Sequence, residues 1–582
     1  LSYSYETDTL ADIASRSAAA FGTAPALGMT SGDSSPLSYL ELDRLTLLTA
    51  ALLSREGLKA GDRAAILSEN RPEWGVASFG IARAGAVSVP ILVDFAAAQV
   101  GNILEHSGSR VVFASEKQRR KLASLESGSP GAGVKVIPIE SLSSPSPELE
   151  AAAAGLALPK VKPEDLAAIV YTSGTTGLSK GVMLSHRNFI ADALSCDSVI
   201  RLDGRDLLLS ILPLAHTYEY TIGFLIPMMS GASIRYLDRP PSASALMPAL
   251  SSLRPTIMLS VPLVIEKTYR AAVKPGLEKI ALYKLPPFRP LLERIAGRKL
   301  YASFGGRMRF FGVGGAPLDP EVEAFLLRAR FPYAIGYGLT ETAPIIAASA
   351  VGKTKVKVAG PALAGADIRI AAVDAKAEGS AQAAEAQGDG IGEIQVRGPM
   401  VGLGYYKDPA RTAEAFTEDG YFRTGDLGSF DARGRLSVRG RIKTMILGAS
   451  GENIYPEEVE AVLNAAPEVV ESLVYGDEEG LTALVHIKPE TIEALIKSTI
   501  EGAEKAVSSF GKTVGTVAHN ASESFGAAEK AAAALLERIK REANSRLTAF
   551  SRIKSVRLQV EPFEKTPTQK IKRFLYPRDG KR

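Results

Sequence analysis

Ala167-Ala-Ile-Val-Tyr171-Thr-Ser-Gly-Thr-Thr-Gly-Leu-Ser-Lys180-Gly181 is the stretch on which the reading of this chain turns. An apolar run, Ala167 to Val170, leads directly into a segment crowded with hydroxyl side chains, glycines and one lysine. Closely spaced backbone N–H groups, hydroxyl donors and a cation suit a polyphosphate. Taken alone, a flexible Ser/Gly/Thr surface loop has the same composition. The spacing excludes a Walker loop, in which the lysine directly follows glycine and precedes Ser or Thr. Here Lys180 stands three residues after Gly177 and is followed by Gly181.

Around this turn the chain alternates short β-rich runs (Arg63 to Ile66, Ala86 to Pro90, Arg110 to Ala114) with helical stretches such as Pro72 to Arg83. That alternation predicts parallel α/β architecture. The Ser/Pro- then Ala-rich run Ser143 to Ala154 reads as a connecting loop. A second α/β block runs from Val170 to about Ala347. In it the strand Met308 to Val313 ends in Gly314-Gly315-Ala316-Pro317, and Asp319-Pro320 opens a helix with Val322, Phe325 and Leu326 on its buried face. From Val358 to about Val438 short strands with Gly/Pro turns predict a β-rich subdomain, interrupted by an Ala/Glu/Gly-rich hairpin loop at 371–389. Beyond Arg439 lies a small α+β unit with a helix opening at Pro456 and strands at Val469 to Tyr475, Leu481 to Ile487 and Val556 to Val560. Within it, Ile492, Ile496, Ile500, Ala503, Val507, Phe510 and further apolar positions to Phe525 recur at helical steps.

Composition narrows the function classes. A chain of 582 residues exceeds one hydrophobic core and calls for two or more domains. The net charge of +4, from 68 basic and 64 acidic residues, gives no case for nucleic acid as a partner. A single cysteine, Cys196, rules out an internal disulfide framework and fits a reducing, cytoplasmic setting. The apolar stretch Tyr220 to Ile234 is too short and interrupted to span a bilayer, and the first residues lack the order of a secretory leader.

Four more constellations accompany the hydroxyl turn. Gly336-Tyr-Gly-Leu-Thr340-Glu341-Thr342 sets a hydroxyl and a carboxylate beside glycines. Tyr421-Phe-Arg-Thr-Gly-Asp426-Leu-Gly428 places one carboxylate in a tight turn. Arg441 and Lys443 precede Gly448-Ala-Ser-Gly-Glu-Asn-Ile-Tyr455, and Thr566-Pro-Thr-Gln-Lys570 forms a basic loop. Singly, each has a plain explanation, such as a turn former or a solvated charge. In this order and together, they resemble the adenylate-forming superfamily of acyl-CoA synthetases, luciferases and peptide-synthetase adenylation domains. The run Leu212-Pro-Leu-Ala-His216-Thr-Tyr and the Thr-Pro-Thr-Gln-Lys ending are most similar to long-chain fatty-acid–CoA ligases.

The resemblance implies a large N-terminal domain over 1–440, with two α/β subdomains and a β-rich one. It implies a small, mobile α+β C-terminal domain over 441–582, in which a helix at about 490–525 is an insertion. It assigns Thr172, Ser173, Gly174, Thr175, Thr176, Gly177 and Lys180 to the ATP phosphates, and Gly315, Ala316, Pro317, Gly336 and Tyr337 to the adenine. Thr340 would touch the α-phosphate and Glu341 hold Mg²⁺. Asp426 would accept from the ribose hydroxyls with Arg441 beside it, and Lys443 would mark the hinge. Lys570 matches the catalytic lysine and His216 the residue beside the reacting carboxyl. Three positions depart from the common pattern: Ser179 where proline is frequent, Gln569 where glycine is frequent, and Thr444 where an acid is frequent.

The implied activity uses ATP, Mg²⁺ and coenzyme A to activate a medium- to long-chain fatty acid. Loading of a carrier protein and an adenylate binder without catalysis are the competing readings. The 490–525 helix has two readings: packing on the small domain or on residues 527–547, and weak peripheral contact with a membrane through a lysine-bearing face. Acyl-chain length and oligomeric state are left open by the sequence.

Overall fold

The computed structural model describes residues 8–31, 35–125, 130–173, 179–372, 390–447, 453–477, 480–494, 497, 517–565 and 571–576. By its contacts the chain separates into one unit of residues 1–424 and 428–438 and a second of 425–427 and 439–582.

In the first unit, strands alternate with helices and build two large sheets. One has seven strands in the spatial order Gly404–Tyr405, Ser179–Ser185, Leu166–Ser173, Val87–Pro90, Arg63–Leu67, Ser109–Ala114, Lys135–Pro138. The strands from Leu166–Ser173 to Lys135–Pro138 run parallel, whereas Ser179–Ser185 turns back antiparallel on Leu166–Ser173. The other sheet has eight strands, from Ile345–Ser349 through Tyr333–Gly338, Phe310–Val313, Ile257–Ser260, Leu207–Ser210, Ser233–Tyr236 and Pro25–Met29 to Leu37–Ser38. Its six inner strands are parallel and its two edge strands antiparallel. The inner strands are almost wholly apolar, as a sheet covered on both faces requires.

The helix Pro72–Arg83 lies where the sequence predicts it, and its buried Trp74 and Phe79 join the core between the sheets. Asp319 caps the helix Pro320–Ala329 by accepting from the amides of Glu321 and Val322, at 2.8 and 3.1 Å. Val322, Phe325 and Leu326 are buried there, as the spacing requires. The run after Ser143 is not a plain loop: Pro147–Ala154 is a helix, with Ser146 at its N-cap accepting from Leu149 N. Its alanines favour helix, and Leu149 and Ala153 gain burial.

The β-rich segment forms a five-stranded sheet, in the order Gly360–Pro361, Arg435–Arg441, Phe422–Phe430, Gly392–Arg397, Asp367–Ala371. The boundary between the units runs through two of these strands. The Ala/Glu/Gly-rich interruption at 373–389 is outside the described residues.

The second unit holds the strands Val469–Asp477, Gly480–Ile487 and Ile553–Gln559, the last parallel to its neighbour. The helix Pro456–Asn464 and the helix Val517–Asn544 accompany this sheet, and Val459, Leu463, Leu535, Leu536 and Ile539 share a core with it. The helical periodicity read over 492–525 does not stop at Phe525. Residues 517–525 belong to the helix that continues to Asn544, so they cannot fold back on 527–547. Most of 495–516 is outside the described residues. Among the described residues, no helix is long and apolar enough to cross a membrane.

Candidate active site

The strands on either side of the hydroxyl-rich stretch pair antiparallel. Leu166–Ser173 pairs with Ser179–Ser185 in a register that sets Tyr171 opposite Gly181 and Thr172 opposite Lys180. Gly181 is required by crowding: a Cβ there would lie 2.8 Å from Ile169 and 3.1 Å from the Tyr171 ring. Gly174, Thr175, Thr176 and Gly177 lie outside the described residues, and Ser173 is placed only as a strand position. Thr172 Oγ1 is buried without a hydrogen-bond partner among the described residues.

Three elements distant in sequence meet at Lys180. The short strand Gly404–Tyr405 pairs with the return strand of the hairpin and brings Tyr405 alongside. The turn Thr340–Thr342 follows the strand Tyr333–Gly338, pinned where Thr342 Oγ1 accepts from Leu339 N at 3.0 Å. Lys180 Nζ then donates to Glu341 Oε1 at 2.6 Å and to the Tyr405 hydroxyl at 3.0 Å. Tyr405 in turn donates to Glu341 Oε1 at 2.9 Å. Burial alone would push the Glu341 carboxyl up, but the Lys180 ammonium and these hydrogen bonds prevail and hold it below its ordinary value. The Tyr405 phenol is raised, first by burial and then by the Glu341 charge beside it.

This carboxylate fits one kind of metal. Among the described residues there is no group of three or more His, Cys, Asp or Glu side chains able to hold a metal ion by itself. Mg²⁺ is typically held by one or two carboxylates together with substrate phosphates. An ionised, buried Glu341 next to a cationic hairpin tip meets that description.

A second wall lies at the ends of two adjacent parallel strands. Phe310–Val313 runs into Gly314-Gly315-Ala316-Pro317, and Tyr333–Gly338 carries Gly336 and Tyr337 beside it. Gly315 has φ +84°, a conformation that favours glycine, and a Cβ there would meet only Val261 Cγ1, at 3.9 Å. The Tyr218 ring is packed beneath this turn, 3.1 Å from the point where a Gly314 Cβ would lie. His216 sits on the loop before the buried π-helix Glu219–Leu225, and its Nδ1 accepts from Tyr218 N at 3.3 Å. That loop is braced by Asn70, whose amide donates to Leu212 O at 2.6 Å and accepts from Leu214 N at 2.9 Å.

Beyond the His216 loop lies a small cavity of about 20 Å³, reached by Ala215 and Thr217 and lined further by Trp74, Val170, Phe189 and Tyr220. No charged side chain lines it. Of the segments 218–224, 313–315 and 343–346 that the sequence suggests for an acyl pocket, the first lends Tyr220 to this small cavity. The other walls come from the helices Pro72–Arg83 and His186–Ser195 and the strand Leu166–Ser173, which pack here through tertiary contacts.

In the second unit, Asp426 is 6% exposed and pairs through Oδ1 with Arg441 Nε at 3.1 Å. The expected tight turn around Asp426 is instead an interior position of the strand Phe422–Phe430, flanked by Gly425 at φ +68°. The glycine supplies the local bend that reads from sequence as a turn. Lys443 is exposed on the short 3₁₀ turn Ile442–Thr444. Lys570 falls outside the described residues. The structure thus joins Lys180 to Glu341 and Asp426 to Arg441, and it sets Gly315–Pro317 beside Gly336–Tyr337. Tyr405 and Asn70 were not singled out by sequence reasoning. Gly404-Tyr405-Tyr406 stands out as glycine-flanked aromatics, but nothing in its spacing ties it to position 341.

The chain is similar to known proteins. The family described as AMP-binding enzyme matches residues 14–406. The peroxisomal long chain acyl-CoA synthetase 6 of Arabidopsis thaliana is 31% identical over 500 residues, 78% of this chain and 69% of that protein. The long-chain-fatty-acid–CoA ligase FadD15 of Mycobacterium bovis is 31% identical over 461 residues, 72% of each chain. Among solved structures, the anthranilate CoA ligase AuaEII with anthranoyl-AMP superposes with a TM-score of 0.74 at 20% identity, covering 98% of this chain and 96% of its own.

Proposed function

The chain belongs to the family of AMP-binding enzymes, and we propose that its acid substrate is a medium- to long-chain fatty acid. It is an AMP-forming acid–thiol ligase that uses ATP, Mg²⁺ and coenzyme A. The observation that carries the substrate reading is the likeness to relatives named for long-chain substrates, and the small uncharged cavity behind the His216 loop, lined by Trp74, Phe189 and Tyr220, adds an apolar wall beside the site. An alkyl chain gains about 0.8 kcal/mol for each methylene taken from water into such a lining. The relatives from Arabidopsis thaliana and Mycobacterium bovis, named for long-chain substrates, support the same class.

The carboxylate oxygen attacks the α-phosphorus of ATP, the bond to the β-phosphate breaks, and pyrophosphate leaves. The thiol sulfur of coenzyme A then attacks the acyl carbon, and the acyl–oxygen bond to AMP breaks. In the first step an anion meets a polyanion, so positioning and charge neutralisation dominate the barrier. Lys180 exchanges Glu341 for phosphate oxygens, and the hairpin hydroxyls of Thr172, Ser173, Thr175 and Thr176 complete the cradle. Glu341, released from Lys180, would hold Mg²⁺, which would supply neutralisation of the phosphate charge. Thr340 contacts the α-phosphate, and the Gly315–Pro317 turn with Gly336 and Tyr337 frames the base. Asp426, oriented by Arg441, accepts from the ribose hydroxyls. His216 orients the carboxyl at the mouth of the cavity. Lys570 supplies a second cation in adenylation, carried by a C-terminal domain that turns about Lys443 between the two steps.

A chain-length series of fatty acids tests the substrate: pyrophosphate release should rise from short acids to a maximum at medium or long chains. A maximum with an aromatic or short acid would overturn the reading. AMP release with coenzyme A, compared with a carrier protein, identifies the acceptor. Lys570→Ala should block acyl-adenylate formation far more than thioester formation from supplied acyl-adenylate, and equal losses would refute the domain alternation.

A further inference from the structure

The run from Lys279 to Lys299, between the strands Ile257–Ser260 and Phe310–Val313, has no part in the chemistry above. Six large apolar side chains stand exposed on it: Ile280, Leu282, Leu285, Phe288, Leu291 and Ile295, the last four at 50%, 42%, 59% and 44%. Nineteen such side chains are exposed among all the described residues, so about a third of them fall in this one short stretch. Soluble surfaces usually scatter such residues singly, and a contiguous set marks an interaction site.

Cations are interleaved with them. Lys279, Lys284, Arg289, Arg294, Arg298 and Lys299 are all exposed, and no ion pair engages any of them among the described residues. The one acid in the run, Glu293, is 2% exposed and held by Arg328 and Tyr283, so it offsets nothing at the surface. On the helix Arg289–Ser303, Leu291 and Ile295 share a face at i, i+4 spacing. The opposite face is pressed against the helix Pro320–Ala329, where a Cβ added at Gly297 would lie 2.5 Å from the Ala329 Cβ. The helix therefore cannot roll to bury its apolar face. The preceding 3₁₀ turns, Ala281–Lys284 and Pro286–Phe288, bury no residue at all.

We propose that residues 279–299 form a docking surface for an anionic lipid bilayer. Charge decides among the occupants. A two-fold contact between copies of this chain would set the same six cations against each other, which disfavours self-association. A bilayer carrying anionic headgroups accepts both components, taking the aliphatic and aromatic tips into the interface and the Lys/Arg heads at the phosphates. Position agrees. The helical stretch Pro262–Glu278 that leads into the run starts two residues after Ser260, and Ser260 O accepts from Gly314 N at 3.2 Å at the glycine turn. The docking surface thus follows from the strand next to the one whose end carries the nucleotide wall. It is separate from the 490–525 segment, in which the sequence alone suggests membrane contact.

The test is co-sedimentation of the full protein with vesicles of phosphatidylcholine alone and of phosphatidylcholine containing phosphatidylglycerol, without ATP. Binding to the anionic vesicles should be at least about tenfold stronger and weaken with salt. Lys284→Glu with Arg289→Glu and Arg294→Glu should lower it about tenfold or more. Leu282→Ser with Leu285→Ser and Phe288→Ser should lower it at both salt extremes. Both variants should keep pyrophosphate release with a short, water-soluble acid. If a variant fails to fold, amide exchange of the unaltered protein decides: slowing across 279–299 with anionic vesicles supports the proposal, and unchanged exchange overturns it. It is also overturned by absence of anionic-vesicle binding, by folded variants that bind like the unaltered protein, or by a dimer that the same substitutions dissolve. Because binding is read without turnover, its failure leaves the ligase reading untouched.

Discussion

Glu341 and Glu219 are both buried in the first unit, at 8% and 0% exposure, yet their protonation is driven in opposite directions. Glu341 accepts from an ammonium and a phenol on the same oxygen, and its carboxyl is held below the ordinary range. Glu219 accepts from Ser210 Oγ at 2.5 Å, but its other oxygen has no partner, and burial pushes its carboxyl up to about 8. Near neutral pH the first is an anion and the second holds its proton. Burial sets the cost of charge, and a neighbouring cation decides whether the charge is kept. Only the ionised glutamate can serve a cation bridging phosphates. The neutral one is a structural group in the first turn of a buried π-helix, packed so tightly that a Cβ at Gly223 would lie 2.7 Å from its carboxyl carbon.

Substitutions can break or sharpen this contrast. The largest effect is expected at the ionised site: Glu341→Gln should cut adenylation on the order of 100-fold or more, with the Mg²⁺ concentration for half-maximal rate raised. A variant with unaltered Mg²⁺ dependence would remove Glu341 from the metal. Tyr405→Phe deletes one hydrogen bond to a charged carboxylate and should lower kcat/KM about tenfold, while the Glu341 carboxyl titrates higher. Asn70→Ala frees the loop carrying His216. A few-fold loss of kcat/KM with about 2 kcal/mol of stability is expected, and thermal unfolding beside steady-state rates reads both.

Glu219→Gln should leave turnover at neutral pH within about twofold, yet alter the pH dependence of stability. The folded carboxyl of Glu219 titrates near 8, above its ordinary value of 4.5, so the folded chain holds a proton that the unfolded chain has lost. Between those values unfolding releases this proton, and Glu219 makes stability fall as pH rises, by up to about 1.4 kcal/mol per pH unit. The glutamine variant should lose that component of the slope. Parallel melting curves for the two proteins across the window would show that Glu219 is ionised in the fold.

Local signals were legible wherever chemistry and structure coincide within a few residues. The Asp319-Pro320 cap, the helix Pro72–Arg83 and the β-rich spacing after Val358 each appear in the fold, because caps and periodicity act over one or two turns. The misread segments share one cause. Asp426 lies inside a strand, Ser143 to Ala154 contains a helix, and the helix through Val517 continues past Phe525. In each, glycine or alanine composition is locally ambiguous and packing against other elements settles the outcome.

The sequence alone determined the α/β class, the family and the residue types that can meet a nucleotide, since these rest on short-range spacing and on motif order. Only the tertiary structure decided that Tyr405 bonds to both Lys180 and Glu341, 225 and 64 residues away from it in the chain, and that Glu341 is charged while Glu219 is not. The reason is physical: protonation and hydrogen-bond partnership depend on distance and dielectric in space, and neither follows from position along the chain.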